Sequence, residues 1–200
     1  MRNAVLCVLL LAAPLHAADL EVGVQHVIAI PGDTGELDVA TSRGFGAHLD
    51  VFWSERFSTR VAAVFVNPAA ILVPENPPPA DVDLGTLGLD IYSATARFHI
   101  APRARFSAFA GAGVAVVTIG NLDDQFGDAV EIEFDQETAF VAEAGVRYRV
   151  HPRIMFEASA IYVPLEIEGN VRRAADPRIV VPSPIGVDPV VVNVGAAWRF

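Results

Sequence analysis

The 200-residue chain has no lysine and one cysteine, Cys7. Its 14 basic residues are all arginine and face 24 acidic ones, for a formal net charge of −10. Nucleic-acid binding needs clustered cations to neutralise phosphates. Arginines scattered through an acidic chain do not supply them, so no nucleic-acid partner is expected. Long hydrophobic runs are missing too. The chain is 52% hydrophobic, yet beyond the N-terminus no stretch reaches the roughly 18 apolar residues that mark a membrane helix. The apolar residues must fill a soluble core or alternate along strands that face lipid.

The one compact apolar segment stands at the start. Arg2 supplies a positive charge, Ala4 to Leu15 an apolar stretch, and Ala17 a small residue at a cleavage position. This pattern predicts a signal peptide over residues 1–17 and an exported domain over 18–200. Cys7 sits inside that segment, too early for a lipoprotein cysteine. The exported domain is then expected to lack any disulfide, thiolate metal site or cysteine nucleophile.

From Asp19 onward the pattern has a period of two. Leu20, Val22, Val24, His26, Ile28 and Ile30 share one face, and Glu21, Gly23, Gln25, Val27 and Ala29 the other. Such alternation marks a strand between two environments. It recurs over residues 42–53, 57–67, 86–100, 105–119, 138–150, 154–165 and 190–200, giving eight strands. In the 86–100 strand Asp90 falls on the apolar face, which calls for a position above the membrane or a bulge. Tight turns at Ser54 to Arg56, Ala101 to Arg103 and His151 to Arg153 alternate with long connections: Pro31 to Thr41, Pro68 to Gly85, Gly120 to Glu137 and Glu166 to Pro189. A membrane barrel with short periplasmic turns and long outer loops has this rhythm.

A soluble barrel would alternate as well, with its apolar face inward. Two features favour lipid. Trp53, Phe57, Phe98, Phe106, Tyr148, Phe156, Trp198 and Phe200 share the apolar face near the short turns or the C-terminus, as an interfacial girdle requires. Phe65, Tyr92, Phe140 and Tyr162 form a smaller set toward the long loops. On the polar face, Gly44, Gly46, Gly111, Gly113, Gly145 and Gly195 alternate with Arg and Glu, an economy of volume suited to a narrow lumen. The expected fold is an all-β, eight-stranded antiparallel up-and-down transmembrane barrel in the outer membrane.

Three segments resemble the outer-membrane protein W family. Arg105 to Val114 carries a Gly111-Ala112-Gly113 strand core. Ile132 to Tyr148 is an acidic stretch running into Ala144-Gly145-Val146 and Tyr148. Asp188-Pro189 precedes the ending Gly195 to Phe200. The resemblance spans nearly the whole exported domain, although the 86–100 strand is poorer in aromatics than the family pattern and the second long loop is rich in proline. It implies a barrel set among outer-membrane lipids and lipopolysaccharide, acting as a narrow conduit for small hydrophobic molecules. A structural or interaction barrel working through its outer loops is the alternative. Phe200 resembles the terminal signal read by the barrel assembly machinery.

Residue positions suggest how the lumen is furnished. With each hairpin symmetric about its turn, Asp50 faces Arg60, Arg147 faces Glu157, and Glu21 lies level with Arg199, forming a charged plug near the short turns. Arg97 and Arg105 face one another without a partner, so one of them should point to the rim. Above the plug, Val27, Ala29, Val64, Val66, Val117, Val141, Val163 and Leu165 make the inward face apolar. His48, His99 and His151 show no metal-ligand spacing, and no His-x-Ser pair lies on the apolar face. No catalytic residue, metal or cofactor is expected. The acidic segment Asn121 to Glu137 lacks the ligand spacing of a calcium loop and reads as solvated loop. Pro74 to Pro79 and Pro177 to Pro189 read as stiff loop.

Overall fold

The computed structural model describes residues 19–32, 37–72, 82–86, 88–119, 130–134, 136–173 and 176–200. The expected signal peptide, Pro74 to Pro79 and the acidic positions Asp123, Asp124 and Asp128 lie outside them. The strands in chain order are β1 (Asp19–Ile30), β2 (Leu37–Val39), β3 (Ser42–Phe52), β4 (Phe57–Val66), β5 (Ala69–Leu72), β6 (Val82–Thr86), β7 (Leu89–Ile100), β8 (Phe106–Ile119), β9 (Val130–Phe134), β10 (Glu137–His151), β11 (Ile154–Tyr162), β12 (Leu165–Arg173), β13 (Asp176–Val187) and β14 (Val190–Arg199).

Eight of them close into an antiparallel barrel in the order β1-β3-β4-β7-β8-β10-β11-β14, and β14 pairs back onto β1. Closure removes every open edge, which is the condition for a sheet to stand in lipid. The closing seam runs from Glu21–Arg199 to Ile30–Val190, and the Phe200 amide donates to the Leu20 carbonyl at 2.9 Å.

Period-two alternation sets the two faces. Val24, Phe45, Phe140 and Val194 point outward and are each more than half exposed. So wide an apolar belt would aggregate in water and is solvated only by lipid. The aromatics named for the short-turn girdle, from Trp53 to Phe200, are all exposed. Asp90 is the outward partner of Phe65 and Thr118 at the loop end of β7, in unbroken alternation with no bulge.

Two expectations need correction. The long connections are not all loop. β2, β5 and β6 form one three-stranded sheet, and β9, β12 and β13 another. The proline-rich 177–189 segment contributes most of β13, and the β11 strand ends at Tyr162 rather than Leu165. Prolines and mixed faces hid these strands, because an edge strand tolerates proline without showing the two-sided alternation of a barrel wall. The β7–β8 hairpin is also longer than a tight turn. Ile100 pairs with Ala108, Ala101 takes a positive φ of 52°, and Ala104 donates to the Ala101 carbonyl. The shift sets Arg97 opposite Gly111, not Arg105, which stays outside with its guanidinium over the Tyr148 ring.

Candidate functional site: a divided lumen

The lower lumen is a network of charges drawn from six strands. Asp50 and Arg60 are register partners on β3 and β4, as are Arg147 and Glu157 on β10 and β11. Arg60 donates to both oxygens of Asp50, from Nε at 2.9 Å and Nη2 at 2.7 Å, and across the lumen to Glu157 at 2.5 and 2.9 Å. Arg97 is fully buried and bonds Glu143, with a 2.8 Å contact from its Nε. Arg147 bonds Glu21. A guanidinium offers a planar fork that fits two carboxylates at once, so each arginine ties separate strands together.

Arg199 stands opposite Glu21 in register but does not join the network. Its guanidinium turns to the rim, bonds Asp19 at 2.7 Å and lies 4.5 Å from the centre of the Phe52 ring. Its expected place beside Glu21 is taken by Arg147, and the plug gains the pair Arg97–Glu143. Register symmetry could not find that pairing, because the partners stand two strands apart and meet across the lumen.

Aromatic rings floor the plug. Phe109 turns inward beneath the Arg97 guanidinium, 4.1 Å away, and Phe52 lies under Arg147 and Arg199. His99 stands between these rings, with its Nε2 2.8 Å from Ser58 Oγ. Glycine makes the room. A Cβ at Gly145 would strike the Phe109 ring and the Ala158 carbonyl, and one at Gly23 would strike the His48 ring. Phe52, Phe109, His48 and His99 could have been found from strand parity alone, since each sits on the polar-facing register. A small cavity of about 20 Å³ at the short-turn rim is bordered by Phe52, His99, Arg147, Met155 and Arg199.

Above a middle layer of Gln25, Ser93, Thr95, Ser159 and Asn193, the lumen becomes apolar. Val27, Ala29, Val64, Val66, Val117, Val141, Val163 and Leu165 all lie in one buried cluster, completed by Ile91, Ala115, Ala139, Ile161 and Val191. The wall beside this cluster is not uniform. Pairing of β10 with β11 stops at Ala142–Tyr162, although β10 continues toward the loops and stays paired to β8 as far as Glu137–Val117. Past Tyr162 the chain runs through Val163 and Pro164 into β12, which belongs to the outer sheet. Pro164 has no amide hydrogen to extend the ladder. The β10–β11 ladder therefore ends before Val163-Pro164, among apolar residues, while the start of β12 still lies near β10.

An eight-stranded closed wall, an aromatic girdle at the short-turn end and a lumen split into charged and apolar halves are joined by a sequence match. The OmpW family model matches residues 78–200. The chain belongs to the OmpW family. It is an outer-membrane protein of a Gram-negative bacterium, embedded in lipid. Among solved structures it is similar to OprG from Pseudomonas aeruginosa, with a TM-score of 0.74 at 13% identity over 92% of this chain and 96% of that one. It is similar to AlkL, solved in DMPC bilayers, with a TM-score of 0.64 at 17% identity over 94% of this chain and 93% of that one. The E. coli outer membrane protein W gives 0.55 at 14% identity over 94% of this chain and 100% of that one. At such identities the likeness carries the fold of this OmpW-family barrel and not its solute. No curated protein sequence matches the chain.

Proposed function

We propose that the barrel is a conduit for small hydrophobic molecules, which enter from the loop side, rest in the upper lumen and leave sideways into the bilayer. The observation that carries the reading is the division of the lumen. Thirteen buried apolar residues stand above a plug of buried ion pairs. An apolar solute gains about 25 cal/mol per Å² of surface removed from water in such surroundings. The plug offers it nothing comparable, because passage would mean separating buried charges. The unpaired stretch of wall at β10 and Pro164 supports lateral exit.

The test is uptake of an alkane-like fluorescent probe into liposomes containing the folded barrel, with Val64→Glu and Val163→Glu as variants. Each puts a carboxylate into the apolar cluster, the second of them just past the end of the β10–β11 ladder. Both are expected to reduce protein-dependent uptake at least tenfold while leaving the barrel folded. If both variants match wild type, the conduit reading fails. The reading that replaces it is an interaction barrel working through the outer sheets of β2-β5-β6 and β9-β12-β13, which give the loop side a built surface.

A further inference from the structure

The charged plug contains a group of side chains that the ion pairs do not use up. Glu21 on β1, His48 and Asp50 on β3, and Glu157 on β11 are all buried, and one donor atom from each lies within 4.8 Å of the others. The two wall strands bring three of them together, since Glu21 pairs in register with Asp50 and Gly23 with His48. Glu157 reaches them from across the lumen.

We propose that these four side chains hold one divalent transition-metal ion of the zinc type. His48 is the first reason. Its side chain is 1% exposed, and neither ring nitrogen has a hydrogen-bond partner among the described residues. The nearest carboxylate oxygen, Oδ2 of Asp50, stands 3.7 Å from Nε2, beyond hydrogen-bond reach. A buried imidazole without a partner is costly, and a metal ion satisfies its lone pair. Glu21 Oε2 is buried and unpartnered as well.

Charge is the second reason. Glu21, Asp50, Glu143 and Glu157 bring four carboxylates to the plug, against three guanidiniums from Arg60, Arg97 and Arg147, a formal balance of −1. The excess is negative, which favours a cation over an anion. One imidazole with carboxylates is a donor set that suits zinc and its neighbours and disfavours calcium or magnesium, which take oxygen alone. Asp50 and Glu157 can keep their bonds from Arg60 and still coordinate, because each carboxylate oxygen has two lone pairs. Ligands about 2.1 Å from a tetrahedral zinc stand about 3.4 Å apart, so small side-chain rotations close the present spacing.

Gly23 is the third reason. The His48 ring occupies the space that a side chain at Gly23 would fill. The glycine thus leans the imidazole over β1, toward Glu21. An ion bound there would join β1, β3 and β11 at one point. The inference is independent of whether the upper lumen carries a solute.

The test is isothermal titration of ZnCl2 into the chelator-stripped barrel, folded in detergent micelles, with Co²⁺ absorption as a second readout. Folding is checked by heat-modifiable migration. Wild type is expected to bind one ion per barrel, with a Co²⁺ spectrum of low coordination number. His48→Ala, the more conservative His48→Gln, and Glu21→Gln should each weaken binding at least tenfold. Gly23→Ala removes no ligand but displaces the ring, and should weaken binding as well. A double variant, His26→Ala with His151→Ala, removes the two exposed histidines among the described residues and should bind as wild type does. Absence of binding by wild type overturns the proposal. Binding retained in the folded His48 variants, or lost in the double variant, also overturns it.

Discussion

Arg60 reaches Asp50 on the neighbouring strand and Glu157 across the lumen with a single guanidinium. Removing it leaves two buried carboxylates without their main partner. Arg60→Ala is therefore expected to destabilise the folded barrel by about 3–5 kcal/mol, the range for breaking a buried pair from one side. Urea unfolding followed by gel migration measures it. Glu55 and Arg103 give the contrasting case. They link two short turns at 2.6 Å, but both are fully in solvent. The hydrogen bond from Arg103 holds the Glu55 carboxyl below the usual carboxylate range. A lowered carboxyl supports the fold above its ordinary range and loses that support as the pH falls through its folded value. Solvent screens the pair so strongly that Glu55→Gln is expected to leave the unfolding midpoint at neutral pH unchanged, and any difference from wild type in acid to fade below the folded value. Gly145 marks a third kind of residue, one whose job is to be absent. Gly145→Val pushes into the Phe109 ring and the Ala158 carbonyl, and about 1–3 kcal/mol of destabilisation is expected from such overpacking.

At the scale of strands, the final one closes the barrel. Phe200 follows β14 directly after Arg199, and its amide donates to the Leu20 carbonyl at the start of β1. Deleting Phe200 removes that bond and the exposed terminal aromatic together. Deletion is expected to lower the yield of heat-modifiable barrel in cells, and an unchanged yield would contradict the expectation. The barrel strands were legible in the sequence because each wall residue faces either lipid or lumen, and the two solvents select different side chains at every step. Two registers, Asp50–Arg60 and Arg147–Glu157, followed from simple symmetry about short turns. The β7–β8 register did not, because the positive φ at Ala101 and the added turn residues leave no periodic trace. That slip is why Arg97 read as facing Arg105, whereas its bond to Glu143 was hidden because the partners stand two strands apart. The outer sheets were illegible for a different reason. β13 contains Pro177, Pro182 and Pro184 and lies outside the barrel wall, so neither composition nor alternation marks it. Of the candidate site, the eight apolar positions and the inward places of His48, Phe52, His99 and Phe109 were all open to parity, whereas which of these rings meet needed the closed lumen.

The whole molecule has one axis of polarity. The short-turn end carries the aromatic girdle, the aromatic floor and the ion pairs, and the loop end carries the apolar cluster, the end of the β10–β11 ladder and the two outer sheets. An open aqueous pore would not line its mouth with branched aliphatics. The division has a direct consequence for two solutes of opposite character. Liposomes containing the folded barrel can be loaded by diffusion with an alkane-like probe and, in the same preparation, a small sugar. Wild-type protein is expected to speed entry of the probe and to leave the sugar at the protein-free rate. Sugar entry without any effect on the probe would contradict the account, because it would mean that the plug is open and the upper lumen is not a path for apolar molecules.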